Sequence, residues 1–177
     1  MATLPFLPFR GQNMLVDGQN LGRVLESAKV PVNQDAYDDF SPATANGTIA
    51  VAVSSDALEL GFKTKGVQPE LLGMCNDAFG VRRKITLLGA LVNEYAETTD
   101  NRAIQVQATV WGRLNAEVGD AETKTVTATE YTVKSILKYT LRIGGKEICR
   151  FDLLRGGWLD KHGQRVEIAQ MIAATGA

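Results

Sequence analysis

One histidine and two cysteines in 177 residues leave little from which to build a catalytic or metal centre. His162 sits in a Gly-flanked turn, Asp160-Lys161-His162-Gly163, where no packing would orient it as a base. Cys75 and Cys149 lie 74 positions apart, form no CxxC pair and cannot complete a zinc site with one histidine at any usual spacing, so they read as reduced, partly buried thiols. Net charge is also missing: 19 basic residues balance 20 acidic ones, which argues against a bulk binder of nucleic acid or membrane surface. The first residues, MATLPFLPFRGQ, carry no basic segment ahead of the apolar ones and are broken by Pro5 and Pro8, so neither a signal peptide nor a membrane span is expected, and synthesis in the cytoplasm is the default. Phosphate-loop, dinucleotide, zincin and nucleophile-elbow motifs are all absent. The carboxylates available for a catalytic pair, Asp35, Asp38, Asp39, Glu97, Asp100, Asp120 and Glu122, fall in expected loops without sugar-stacking aromatics. No enzyme, cofactor or metal is expected.

What the sequence does contain is alternation. From Glu130 to Leu154, EYTVKSILKYTLRIGGKEICRFDLL places Tyr131, Val133, Leu137, Tyr139, Leu141 and Ile143 on one parity and Thr132, Lys134, Lys138, Thr140 and Arg142 on the other, with Ile136 as the exception. That is a strand buried on one side, turning at Gly144-Gly145 into a second strand. The expected core row is Val133, Leu137, Leu141 and Ile143. Residues 104–117 alternate in the same way: Ile104, Val106, Val110 and Leu114 oppose Gln105, Gln107, Thr109, Trp111, Arg113, Asn115 and Glu117.

Further strands are expected at Asn13 to Val16 and Leu21 to Val30, joined by an Asp17-Gly18 turn, and at 48–53, 58–64 and 81–93. Between 58–64 and 81–93, GVQPELLGMCNDAFG predicts a short helix with Pro69 at its first position, Gly80 as its cap and one apolar stripe of Leu71, Leu72, Met74, Cys75, Ala78 and Phe79, plugging the sheet. A last helix is expected from Gln164 to Ala174. Arg82-Arg83-Lys84 reads as a solvated strand end. Residues 1–11 read as an irregular arm. The polar stretch 31–47 reads as a long interaction loop in which Tyr37 and Phe40 stand among Asp35, Asp38 and Asp39.

About eight strands joined by turns predict a single mainly β domain over residues 1–177: an antiparallel β-sandwich or barrel with one or two short α-helices, long hairpin and loop extensions, and a C-terminal segment at 155–177. Leu4, Phe6, Phe9, Asp35, Tyr37, Asp38, Asp39 and Phe40 are the candidates for contacts between subunits. The rows Gln105, Gln107, Thr109 and Arg23, Ser27, Lys29 are both candidates for a polar lining.

Laid out in order, NMLVDGQNLGRVLESAKVP, LELGFKTKGVQPELLGM, YTLRIGGKEICRFDLL and HGQRVEIAQMIAATG resemble the major tail tube proteins of contractile-tailed bacteriophages, over most of the chain from about Gln12. Arg155 and Gln164 depart from that pattern, standing where an asparagine and an acidic residue are common. The resemblance implies a structural virion protein that forms hexameric rings. It implies that the rings stack head to tail into a tube within a contractile sheath, through which double-stranded DNA passes without specific binding. Implied partners are further copies of the chain and the sheath, tape measure, baseplate and tail terminator proteins, with no membrane. Kinship with type VI secretion tubes is also implied, and a tube of such a secretion or injection machine is the alternative. From a different class, a small β-barrel ligand-binding module would show an apolar pocket and no large assembly.

Overall fold

The computed structural model describes residues 7–32, 34–41, 47–94, 102–119, 127–159 and 163. Its longest elements are two strands of 16 residues each, β8 (Ala103–Val118) and β9 (Ala128–Ile143). They pair antiparallel from Val106↔Ile143 to Val118↔Thr129. Alternation along β8 sends Val106, Ala108, Val110 and Leu114 inward and leaves Gln105 and Trp111 exposed, as the sequence predicts.

On its other edge β9 serves two partners. Its first half pairs with β6 (Leu60–Lys65), from Leu60↔Val133 to Lys65↔Ala128. Its second half pairs with β10 (Lys146–Asp152), from Asp152↔Lys138 to Lys146↔Ile143. The division falls at a bulge, where a step of two residues on β8, Trp111 to Arg113, spans four on β9, Lys138 to Lys134. Ser135 takes a left-handed φ of 53° to achieve it. The two inserted residues leave the inward parity the same on either side, at Tyr131, Val133 and Tyr139, but within the bulge Ile136 turns inward in place of its neighbours. The expected core row is therefore corrected: Leu137, Leu141 and Ile143 are only partly buried, and Ile136 is a core residue. Opposite the bulge only glycine fits on β8, because a Cβ at Gly112 would stand 2.5 Å from Val133 Cγ1 and 3.0 Å from the Lys134 carbonyl.

Beyond β8 the sheet continues through β7 (Arg83–Val92) and β1 (Phe9–Val16) to the two-residue β2 (Gln19–Asn20), while β3 (Leu25–Lys29) extends the other branch from β6. The two branches meet where Ala28 N–H of β3 donates to Gln12 Oε1 of β1 at 3.1 Å. The sheet so curls into an antiparallel barrel-like fold around Met14, Val16, Leu60, Phe62, Ile85, Leu87, Val110, Leu114, Tyr131 and Tyr139. The N-terminal turn has φ of 49° at Asp17 and 90° at Gly18, as a two-residue hairpin requires. Its return strand is shorter than expected, however. Asn20 Oδ1 accepts the Gly22 N–H at 2.9 Å, a side-chain turn that ends the pairing and redirects residues 25–29 onto β6.

Helix α1 (Pro69–Cys75) starts at proline, with Glu70 in its first turn, and inserts Leu71 into the barrel core. It stops at Asn76 rather than Gly80, and Phe79, expected on its apolar stripe, is 96% exposed. The expected loop at 31–47 is also corrected. β4 (Asp35–Phe40) and β5 (Ile49–Ser55) form a two-stranded sheet of their own, from Asp35↔Ser55 to Phe40↔Ile49. The final hairpin turns at Gly144-Gly145 as expected, and a short 3-10 turn at Leu153–Arg155 leads from β10 to the edge strand β11 (Gly157–Leu159). Eleven strands are present among the described residues where about eight are expected. The C-terminal helix expected at 164–174 lies outside those residues.

Gly112→Ala should destabilise the fold by about 1–3 kcal/mol in urea unfolding, the usual cost of forcing extra volume into a packed site. Gly73→Ala, in α1 with nothing within 4 Å of the new methyl, should instead be neutral or stabilising by up to about 1 kcal/mol.

Candidate assembly surfaces

Three surfaces stand out from the barrel. The first is the outer face of β7, β8, β9 and β10, whose register builds continuous rows. Lys84, Trp111, Lys138 and Asp152 form one; Thr86, Thr109, Thr140 and Arg150 a second; Leu88, Gln107, Arg142 and Glu147 a third. Gln105, Gln107 and Thr109 therefore lie on a polar sheet face with a shallow depression of about 260 Å³ among Lys84, Gln107, Thr109, Trp111, Thr140 and Arg142. Two of its cations are matched on the same chain, Lys138 with Asp152 at 3.8 Å and Arg142 with Glu147 at 3.9 Å. Asp152 is 4% exposed and also accepts the Leu154 N–H at 3.1 Å, starting the 3-10 turn. Lys134, expected in the same row, reaches instead to Glu59 at 3.1 Å. Ser27 and Lys29 of the other candidate row are exposed on β3, while Arg23 lies in the preceding turn.

The second surface is the arm of β4 and β5. Tyr37 is 63% and Phe40 58% exposed. Asp35 accepts from Ser55 Oγ at 3.4 Å and Asp38 from the Asp39 N–H at 3.0 Å, so each carboxylate has one partner within the arm and further acceptor sites open to the outside. At its root the Asp56 N–H donates to the Gln34 carbonyl at 2.7 Å. The buried Tyr139 hydroxyl donates to the Pro31 carbonyl at 2.9 Å, tying that root to the barrel, and burial pushes this phenol well above its ordinary pKa. An open concavity of about 540 Å³ lies beside the root, lined by polar groups including Lys29, Gln34, Asp56, Glu59 and Thr132. Val30, Pro31, Val32 and Ala57 complete a mixed lining, open to solvent rather than the predominantly apolar enclosure of a small-ligand pocket.

The third surface is the loop from Asn76 to Arg82. Arg83 forks between Asp77, at 2.7 Å from Nη2, and Asp17, at 2.7 Å from Nη1. Arg82 donates to the Ser135 carbonyl and hydroxyl and to the Gly80 carbonyl, each at 3.1 Å. Arg113 donates to the Asp77 carbonyl at 3.2 Å and lies 5.0 Å from the centre of the Phe79 ring. The basic run at Arg82-Arg83 is thus a structural clamp, correcting its reading as a solvated end. The signal was invisible locally because Arg82 and Ser135 are 53 positions apart.

Of the other candidates, Phe9 belongs to β1 rather than to an irregular arm, with its ring against Gly89, where a Cβ would meet Phe9 Cζ at 2.1 Å. Leu4, Phe6 and His162 lie outside the described residues. Both thiols are pushed up in pKa chiefly by burial, which disfavours the nucleophilic thiolate. Among the described residues no group of three or more His, Cys, Asp or Glu is placed to hold a metal, and no helix is long and apolar enough to cross a membrane.

A barrel-like antiparallel sheet whose distinctive surfaces are a charge-patterned face, a separate arm and a clamped aromatic loop is the body of a protein made for contacts between chains. The chain belongs to the phage tail tube protein FII family, whose model matches residues 9–157, from the first residue of β1 to the first of β11. No individual curated protein matches it in sequence. It is a structural tail tube component, and as such a constituent of the virion.

Arg83→Met should lower the urea unfolding midpoint, by removing charge-assisted hydrogen bonds to two carboxylates at once. Because these groups are partly exposed, the loss should shrink when wild type and variant are compared in high salt.

Proposed function

We propose that the chain assembles into hexameric rings that stack head to tail as the inner tube of a contractile tail and conduct double-stranded DNA during ejection. The observation that carries this beyond family membership is the arm of β4 and β5. A two-stranded sheet is marginal alone in water, and this one stands apart from the main sheet with two aromatic side chains more than half exposed. Its counterpart is a surface on another copy. The edge strands fit the same reading: β11 and β2 end the main sheet with three and two residues, short edges that a neighbouring subunit can extend or cover.

In this reading Asp35, Tyr37, Asp38, Asp39 and Phe40 contact the next ring, and Phe9 with the residues before it contributes a second contact between subunits. Gln105, Gln107 and Thr109 face the channel. The sheath wraps the outside, and the baseplate, tape measure and tail terminator proteins meet the tube during construction. Head-to-tail stacking needs heterologous contacts, which generate open filaments where symmetric ones would close.

Tyr37→Ala combined with Phe40→Ala should leave a folded subunit, with a wild-type circular dichroism spectrum, that no longer makes long tubes. Tubes of normal length in negative-stain micrographs of that double variant would remove the arm from the ring-to-ring contact.

A further inference from the structure

We propose that the acidic arm of β4 and β5 docks on the Phe79 loop of a second copy of this chain, which names the receiving surface that the tube reading leaves open and rests on that reading. Between Lys29 and Lys63 there is no lysine or arginine, but there are five carboxylates: Asp35, Asp38, Asp39, Asp56 and Glu59. The whole chain carries a net charge of −1, so with −5 in this stretch the remainder is +4. Glu59 is met by Lys134 of the same chain, but the arm itself carries Asp35, Asp38 and Asp39 and no cation, so a surface that offers cations together with an apolar anchor for Tyr37 and Phe40 complements it.

The Phe79 loop offers both. Phe79 is 96% exposed, a state that hydration disfavours for a phenyl ring, and Val81 beside it is exposed as well. Neither results from a slack loop. Arg82 anchors it to Ser135, Arg113 binds the Asp77 carbonyl and lies against the Phe79 ring, and Arg83 holds the Asp77 carboxylate. A surface already fixed in this way loses little conformational freedom on binding. Arg82 uses three of the five N–H donors of its guanidinium on its own chain, leaving donors for carboxylates such as Asp38 and Asp39. Aromatic and arginine side chains are also the types that concentrate binding energy at the centres of interfaces.

The occupant is another molecule, because the chain's own arm leaves Phe79 almost entirely exposed. The two patches are different surfaces of one chain, so the contact is heterologous and repeats without closing on a pair.

The test uses the full chain bearing Tyr37→Cys or Phe79→Cys, both at exposed positions where folding is not at stake. Each variant is induced to assemble alone or mixed in equal amounts, then treated with a short thiol cross-linker. The expected result is a covalent dimer in the mixture, wild-type background in either variant alone, and a ladder of higher species from the double variant. Phe79→Ala, with a wild-type circular dichroism spectrum, should need roughly tenfold more protein to assemble, as loss of one anchor residue implies. Tubes that form normally with no mixed cross-link, or a Phe79→Ala variant that assembles at the wild-type concentration, would overturn this contact and leave the tube reading standing. Cross-linking of Tyr37→Cys alone as strongly as the mixture would overturn it too, by showing that arm meets arm. Wild-type protein forming neither rings nor tubes at high concentration would overturn the tube reading and this contact with it.

Discussion

The structure depends on how one strand's edge is shared. β8 occupies one side of β9 along nearly its whole length, leaving the other to both β6 and β10. Two partners cannot bond to the same backbone groups, so the edge must be divided, and the bulge at Ser135 divides it. Three local features follow. Ile136 takes the core position that strict alternation would assign to a neighbour, glycine is required at position 112, and the Ser135 carbonyl is met by Arg82. The Ser135 carbonyl, freed from the ladder, lies at an exposed position and takes its hydrogen bond from Arg82. Arg82 also belongs to the clamp that fixes the Phe79 loop, so the sheet's division and the most exposed aromatic side chain among the described residues share one support.

Magnitudes separate what folds the barrel from what shapes its surface. Fully burying a large aliphatic or aromatic side chain contributes about 1.5–3 kcal/mol, and Met14, Leu60, Ile85, Leu87, Val110, Leu114, Val133 and Tyr139 are all at most 1% exposed. An exposed pair such as Lys134 with Glu59 contributes up to about 1 kcal/mol. The core therefore decides the fold, and the ion pairs decide where loops and side chains rest. No described side chain of the arm belongs to the core.

The legible parts of the sequence were those governed by local periodicity. Alternation from Gln105 to Trp111 identified a two-faced strand, and glycine pairs placed the hairpin turn at 144 and 145. Pro69 marked the start of the helix. The missed parts were governed by contacts distant in sequence. Nothing in the string SIL shows that Ser135 will adopt a left-handed conformation, because that follows from the competition of β6 and β10 for one edge. The acidic residues from 35 to 40 have weak strand propensity and read as a loop; pairing with β5 overrides it. The stretch from Leu21 to Val30 has strand character, but its partner is β6 across the barrel rather than β1 beside it. The exposure of Phe79 was missed because its spacing matched the helix stripe, and only the early end of α1 turns it outward.

The charge arrangement on the outer face of β7 to β10 bears on its proposed place in the channel. Phosphate backbones bind proteins through cations that displace condensed counterions, and affinity grows with each phosphate neutralised. A lining of unopposed lysines and arginines would hold DNA along the whole tube, since every ring would repeat the same contacts. Here Lys138 faces Asp152 and Arg142 faces Glu147 across the sheet, while threonine and glutamine fill much of the space between. An opposing carboxylate both offsets the attraction to phosphate and repels the backbone. The offset is partial, since these rows hold four cations, Lys84, Lys138, Arg142 and Arg150, against the two carboxylates Asp152 and Glu147; in the proposed channel the threonine and glutamine between them space that excess into isolated contacts that a moving polymer can break.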